Sequence, residues 1–430
     1  MRLAVWSPLP PSPSGIADYA AEQQPALERR FDLTAVGEEP RGPRPEADLD
    51  LYHLGNSPAH AYVYRAALER PGIALLHDWS LHHLVLSETV ERGDSAAYLR
   101  EMRRSYGDRG TFVGRQVARA LGGDLLPALY PLNERVLEGS LAVVGLTRWI
   151  AERAALRLRG RPVLHLPHHL SLPLDPLPTR AEARRALGLP LDGPIVTAPG
   201  LATASKRLDV ALAAAGRLLG RWPSLRFVVA GGVDPRLPLA AWASDAGMSS
   251  SLVTTGRLLL DDFVRHLVAA DVVLGLRFPT HGEISGALVR ALGVGRPVLV
   301  TAGSPSAEEF PEGVVVPVDP GRWEAEEVRA FLEALLGDAE LAGGVGRLAA
   351  AYARRVHALG PTVDRLAEFL TEVAARRDAL LAVLRRERAP DGSLFAYLAD
   401  ELRWTALDLD LAGIPAGCEE LLADLAGADT

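Results

Sequence analysis

The chain is 430 residues long, carries a net charge of −8 and is 48% hydrophobic. That length accommodates two domains with separate cores, and the acidic balance argues against nonspecific binding to nucleic acid. No run approaches the ~18–20 apolar residues of a membrane span. Residues 1–6 lead straight into a strand, so a signal peptide is not expected. A single cysteine, Cys418, excludes an internal disulfide and a cysteine-based metal cluster, which makes a reducing cytoplasm the expected location.

Short apolar runs at Leu3–Trp6, Leu33–Val36, Leu49–Leu54, Ile73–His77, Leu141–Leu146 and Val163–Leu166 alternate with helical or loop stretches. The rhythm is β-α-β and predicts a mostly parallel sheet. A connector containing Pro167, Pro173, Pro176, Pro178, Pro190 and Pro194 follows. The pattern then restarts with Ile195–Ala198, Phe227–Ala230, Ser251–Thr254, Val272–Leu276, Pro297–Val300 and Val314–Pro317. Helices are predicted between them over 208–219, 260–269, 287–293 and 324–336. The fold class is therefore α/β, with two Rossmann-like domains over residues 1–170 and 190–385. A deep interdomain cleft is expected, facing strand C-termini, where such folds bind ligands.

Residues 86–138 read as a helical insertion in the first domain, rich in arginine (Arg100, Arg103, Arg104, Arg109, Arg115, Arg119). This face suits either an anionic acceptor or a membrane surface. A solvated helix pair, offset by Glu91, Glu101 and Asp108, is the simpler reading and the one favoured here. Residues 390–430 read as an acidic helical tail that either packs on the first domain or serves a partner.

Of 46 basic side chains, one is a lysine, Lys206. It falls between a predicted strand and a predicted helix, where α/β proteins hold anions. An ammonium on a flexible stem reaches a phosphate as a point charge, which a planar guanidinium does not. Further along, residues 276–298 carry a polar loop with Thr280, His281 and Glu283, then Ser285 as a candidate N-cap and Gly286 opening a helix. A helix start with glycine and a hydroxyl cradles phosphate, and a carboxylate just before it binds sugar hydroxyls. Asp48 and Asp50, and Asp408 and Asp410, have the spacing of a metal-binding carboxylate pair but read as surface charge.

The 276–298 segment resembles the donor-binding signature of glycosyltransferase family 4, retaining sugar transferases of GT-B fold. Other pieces match in order: the Ser7–Tyr19 loop, the His77-Asp78 step, Leu166–His168, Phe227–Gly232, Val253–Arg257 and Ala269–Val272. The resemblance spans roughly residues 1–385. It implies that Lys206 and Arg207 neutralise the diphosphate of a nucleotide sugar. Gly15, Ser285, Gly286 and Ala287 would bind the same diphosphate through backbone N–H groups. Thr280 would share the donor loop, Glu283 would hold donor sugar hydroxyls, and His77 would sit at the anomeric centre. Asp18, Tyr19, His53 and Asn56 would line the acceptor side.

The chain departs from the family pattern twice. The family's second glutamate, which binds ribose, is replaced by Arg290, and Glu283 lies one residue closer to it than expected. The Gly-Arg pair before the family's lysine becomes Gly200-Leu201, leaving Arg207 or Arg277 to supply a guanidinium. The expected activity is a metal-independent, retaining glycosyltransferase, with a nucleotide-diphospho-sugar donor, a glycan or lipid-linked acceptor and no cofactor. It would be cytoplasmic, with peripheral contact at the inner membrane face as a further option. Rival readings are a GT-B relic that binds sugar nucleotides or glycans without catalysis, and a GT-B epimerase or phosphorylase.

Overall fold

The computed structural model describes residues 1–388 apart from Pro13, Arg41 and Arg159. The tail expected over 390–430, with Asp408 and Asp410, lies outside the described residues. Two six-stranded parallel sheets form the core. The first contains β1 (Arg2–Trp6), β2 (Asp32–Val36), β3 (Leu49–Leu54), β4 (Ile73–Leu76), β5 (Ala142–Gly145) and β6 (Val163–His165), in the order β2-β1-β3-β4-β5-β6. The second contains β7 (Ile195–Pro199), β8 (Arg226–Ala230), β9 (Leu252–Thr254), β10 (Val272–Gly275), β11 (Val298–Thr301) and β12 (Val316–Val318), in the order β12-β11-β10-β7-β8-β9.

These runs become strands because both faces of each central sheet are covered by helices. β4 is a continuous apolar run buried along its whole length, as parallel sheets covered on both faces require, and β3 is buried throughout although it carries Asp50 and His53. The register fixes which loops meet. Val272 and Val273 of β10 pair with Val196 and Thr197 of β7, so the strand order reverses between those two strands. Loops leaving the C-terminal ends of strands at such a reversal form the crevice where ligands bind. Here they are residues 200–207 after β7 and 276–285 after β10.

After the second sheet the chain crosses back to the first domain. The Leu359–Ala375 helix lies against the Gly15–Glu28 helix, and Val363, Leu366 and Leu370 share one core cluster with Leu3, Leu27 and Leu49. The sequence reading groups this helix with the second domain, because apolar spacing identifies a helix without saying which neighbours it will cover. The outgoing and returning segments of the chain run side by side between the domains. Leu170 bridges Ala358, and the ring of His357 bonds the carbonyl of His168 at 2.6 Å.

Within the 86–138 region, the Ser95–Val117 helix is kinked at Gly107. Arg104 pairs with Glu138 and Arg100 with Asp94, both pairs exposed. Asp50 corrects the surface reading of the Asp48 and Asp50 pair. It is 1% exposed, accepts from the Trp6 indole at 2.8 Å and pairs with Arg70 at 2.9 Å, while Asp48 pairs with Arg2 at the surface. Among the described residues, no helix is long and apolar enough to cross a membrane.

Candidate functional site

Lys206 ends a short 3₁₀ turn (Ala204–Lys206) that follows β7. Its stem is partly buried, and its ammonium donates to the carbonyl of Pro199, the last residue of the strand. Among the described residues, no carboxylate pairs with it. Burial pulls its amine down to about 7, with a smaller push from the guanidinium of Arg277. An ammonium held back in this way regains its charge when an anion arrives.

Arg277 begins the loop after β10. Its backbone N–H donates to the Thr301 hydroxyl at 2.9 Å, and Phe278 N–H donates to the Ser205 carbonyl at 2.7 Å. That second bond ties the loop to the Lys206 turn. The Arg277 guanidinium bonds one oxygen of Glu283 at 2.7 Å, while the other oxygen accepts from His281 N–H at 2.6 Å and the Thr280 hydroxyl at 3.2 Å. Burial works to raise Glu283, but Arg277 and the donors around it outweigh burial and hold the carboxyl below its usual range. Glu283 is therefore an oriented, ionised carboxylate.

Ser285 has extended dihedrals at the N-cap of the Gly286–Gly293 helix, yet its hydroxyl makes no capping bond. Gly286 and Ala287 open that helix and are partly exposed. A Cβ on Gly286 would stand 3.0 Å from His168 Nε2, so a side chain there would crowd the connector. Gly15 likewise opens the Gly15–Glu28 helix, exposed and with open space around it. The helix starts thus lie one in each domain, as the sequence suggests.

The donor loop docks on the first domain. Trp79 and Ser80 donate to the His281 carbonyl at 2.8 and 3.2 Å, and the Thr147 hydroxyl donates to the Gly282 carbonyl at 3.3 Å. Gly282 has φ +86, and a Cβ there would fall 2.6 Å from Trp79 Cβ, so only glycine permits this approach. A second bridge runs through Glu309, which accepts from Arg148 N–H at 2.7 Å and bonds His165 at 2.6 Å.

Facing this loop, the first domain presents a cluster of rings. Tyr19 stands edge-on to His77 and His168, at 4.8 Å each, and stacks on His169 at 4.3 Å. His77 Nε2 bonds His53 Nδ1 at 3.2 Å. Burial pushes His77 and His168 far down and brings His53 to about 3, so all three are neutral at pH 7.

Several residues do something other than the sequence suggests. Arg207 adopts a left-handed conformation (φ 53) that sends its guanidinium to the buried Glu324, at 2.7 and 3.0 Å, so it is not free for a diphosphate. Tyr19 and His53 are each 1% exposed and cannot line an open acceptor surface. The Asn56 side-chain oxygen accepts from His83 N–H at 2.8 Å and Leu84 N–H at 3.2 Å, holding the start of the His82–Glu88 helix. Asp18 is partly buried, which raises its carboxyl against the opposing pull of Arg290 and Arg257.

Arg290 is buried and reaches across the junction. Its Nη2 bonds Glu22 of the Gly15–Glu28 helix at 2.6 Å and its Nε donates to the Ser171 carbonyl at 3.1 Å. Glu22 also accepts from His169 at 2.7 Å. Burial alone would raise Glu22, but His169 and Arg290 together leave it lowered. Sequence reading missed Glu22, since a glutamate within an amphipathic helix looks like solvated surface. It also left out Asp78, although the His77-Asp78 step was itself visible. Asp78 accepts from Asn56 N–H at 2.8 Å and faces Glu283 and Arg277 from the first domain. Among the described residues, no group of three or more histidine, cysteine, aspartate or glutamate side chains is placed to hold a metal ion.

A family model described as glycosyl transferases group 1 matches residues 193–338. No curated protein matches the sequence. Among solved structures, HepE from Anabaena in complex with UDP and glucose is 15% identical, with a TM-score of 0.57 over 86% of this chain and 99% of that one. The sucrose-phosphate synthase of Thermosynechococcus elongatus is 12% identical, with a TM-score of 0.58 over 87% of this chain and 100% of that one. WaaG, a glycosyltransferase involved in lipopolysaccharide biosynthesis, is 16% identical, with a TM-score of 0.57 over 86% and 100%. The two parallel-sheet domains are those of the GT-B fold.

Proposed function

We propose that this protein is a glycosyltransferase that binds a nucleotide-diphospho-sugar on its second domain. It passes the sugar to a hydroxyl of a glycan or lipid-linked acceptor bound by the first. The observation that carries this reading is Lys206: a partly buried ammonium without a carboxylate, beside Arg277, at the strand reversal of the second sheet. The match of residues 193–338 to group 1 glycosyl transferases covers the same segment. HepE, crystallised with UDP-glucose, makes that compound the first donor to try.

In this reading the diphosphate lies on Lys206, Arg277 and the open N–H groups at Ser285–Ala287. As the bond from the anomeric carbon to phosphate breaks, the leaving oxygen gains charge, and these donors strengthen with it. Each charge-assisted bond contributes about 1.5–3 kcal/mol. Glu283, fixed by three donors, takes sugar hydroxyls. Neutral His77 orients the sugar from the other domain, and the docked loop keeps water out. Side chains supply the neutralising charge, so the proposal is of a metal-independent enzyme. Retention at the anomeric carbon and a cytoplasmic setting belong to the proposal and rest on the sequence resemblance.

The test is a thermal-shift panel of UDP, GDP, dTDP and ADP sugars, followed by a transfer assay with the binding member. A ligand at 100 times its dissociation constant adds about 2.7 kcal/mol of stability. Stabilisation with slow donor hydrolysis supports the transferase. Stabilisation with no turnover over any acceptor favours a binding protein, the reading that the Arg290 clasp on Glu22 would support. No stabilisation by any member overturns both.

A further inference from the structure

Resting on the donor site proposed above, we infer that Asp78 and Glu283 form a two-carboxylate clamp across the domain junction. It grips a hydroxyl pair of the donor's sugar and gives up one proton as the sugar enters. The backbone places the two groups together. Trp79 and Ser80, the residues after Asp78, donate to the His281 carbonyl, while His281 N–H donates to Glu283. Gly282, between His281 and Glu283, abuts Trp79. The step after β4 and the loop after β10 are thus zipped side by side, with one carboxylate on each.

The local charges are unevenly shared. Glu283 has Arg277, Thr280 and His281 N–H, whereas Asp78 has the single N–H of Asn56 on one oxygen. The other groups facing the pair offer no fixed positive charge at neutral pH. His77 is neutral, and His281 and His83, whose rings meet at 5.5 Å, are both lowered by burial. One guanidinium, bonded to Glu283 and acting on Asp78 only through its charge, serves two carboxylates, so the resting pair keeps a proton. It resides on Asp78, which burial and then the charge of Glu283 lift to about 7, while Glu283 stays ionised. Two carboxylate acceptors match two hydroxyl donors. A sugar diol placed between them donates to both and stabilises both as anions, so the Asp78 proton leaves to solvent.

Calorimetric titration at pH 6, in two buffers of different ionisation enthalpy, measures that proton. The probe is whichever of UDP-, GDP-, dTDP- and ADP-glucose binds, and its phosphodiester groups do not titrate near this pH. Lys206, lowered to about 7, is already mostly charged there and takes up little. The wild-type protein is expected to release about one proton per donor bound. Asp78→Asn, which keeps an oxygen for Asn56 N–H, is expected to release none and to bind more weakly. Release unchanged in Asp78→Asn, or wild-type release near zero, overturns the clamp and leaves the donor site standing. Failure of every nucleotide sugar to bind overturns the donor site and the clamp with it.

Discussion

The first domain meets the junction with Tyr19, a neutral phenol, and with His53, His77, His168 and His169, kept uncharged at neutral pH by burial, whereas the second meets it with Lys206, Arg277 and Glu283. The contrast matches a division of labour. Charge that must be ready for a diphosphate sits on strand ends of one domain. The other supplies rings and dipoles that orient without competing for the anion. Arg290 and Glu22 cross this divide, and their ion pair is a clasp between the faces rather than part of either.

The largest break in the comparison removes that clasp. Arg290→Met removes a buried guanidinium and leaves the partly buried Glu22 with only His169, and is expected to cost about 3–5 kcal/mol of stability, read by urea denaturation. Pairing it with Glu22→Leu restores most of the loss, because no partly buried carboxylate is then left without its guanidinium. Gly282→Ala comes next, since it forces φ +86 on a residue with a side chain and drives Cβ into Trp79. About 2–3 kcal/mol of stability is expected to go, with donor turnover falling further as the loop undocks.

The two guanidinium groups near Lys206 sharpen the contrast. Arg277→Met is expected to weaken nucleotide-sugar binding by about 10- to 100-fold, the equivalent of one charge-assisted bond. Arg207→Met leaves buried Glu324 unpaired. It is expected to lower stability by about 1–3 kcal/mol while leaving donor affinity unchanged in calorimetry.

Acid separates the ring face from the charged face. His53 of the ring face, and His60, buried nearby in the first domain with its ring bonded to the Ser57 hydroxyl, have folded values of about 3 and about 4, below the unfolded 6.5, so the unfolded chain takes up protons first. Their contribution is whole above pH 6.5 and is lost as pH falls from there toward the folded values. Each costs about 2 kcal/mol by pH 5. Alkali acts on the other face. As pH rises past about 7, Lys206 loses its charge in the free protein, and donor affinity declines. Lys206→Arg stays charged and is expected to lack that decline, though its planar group fits the site less well.

The fold was legible because parallel strands covered on both faces leave short, mostly apolar runs. β3 and the 260–269 helix fall where the residue pattern puts them. The loop carrying Glu283 was legible because its glycines, hydroxyl and carboxylate sit at a strand-to-helix switch. What was not legible depends on partners distant in sequence. Glu22 is 268 residues from Arg290, and Asp78 meets Glu283 only when two domains pack. Arg207 misled because its φ, set by the turn before its helix, sends the side chain away from Lys206's neighbours. Asn56 misled because a capping amide and a ligand-binding amide are the same residue until the His82–Glu88 helix is placed.

The most direct measurement is the dissociation constant of the stabilising nucleotide sugar for Lys206→Met beside wild type, by calorimetry at pH 6, where the ammonium is charged. Loss of one ammonium from a partly buried diphosphate site is expected to weaken binding by at least about tenfold, with the fold intact by circular dichroism. Equal affinity in the two proteins would place the diphosphate elsewhere and contradict the site.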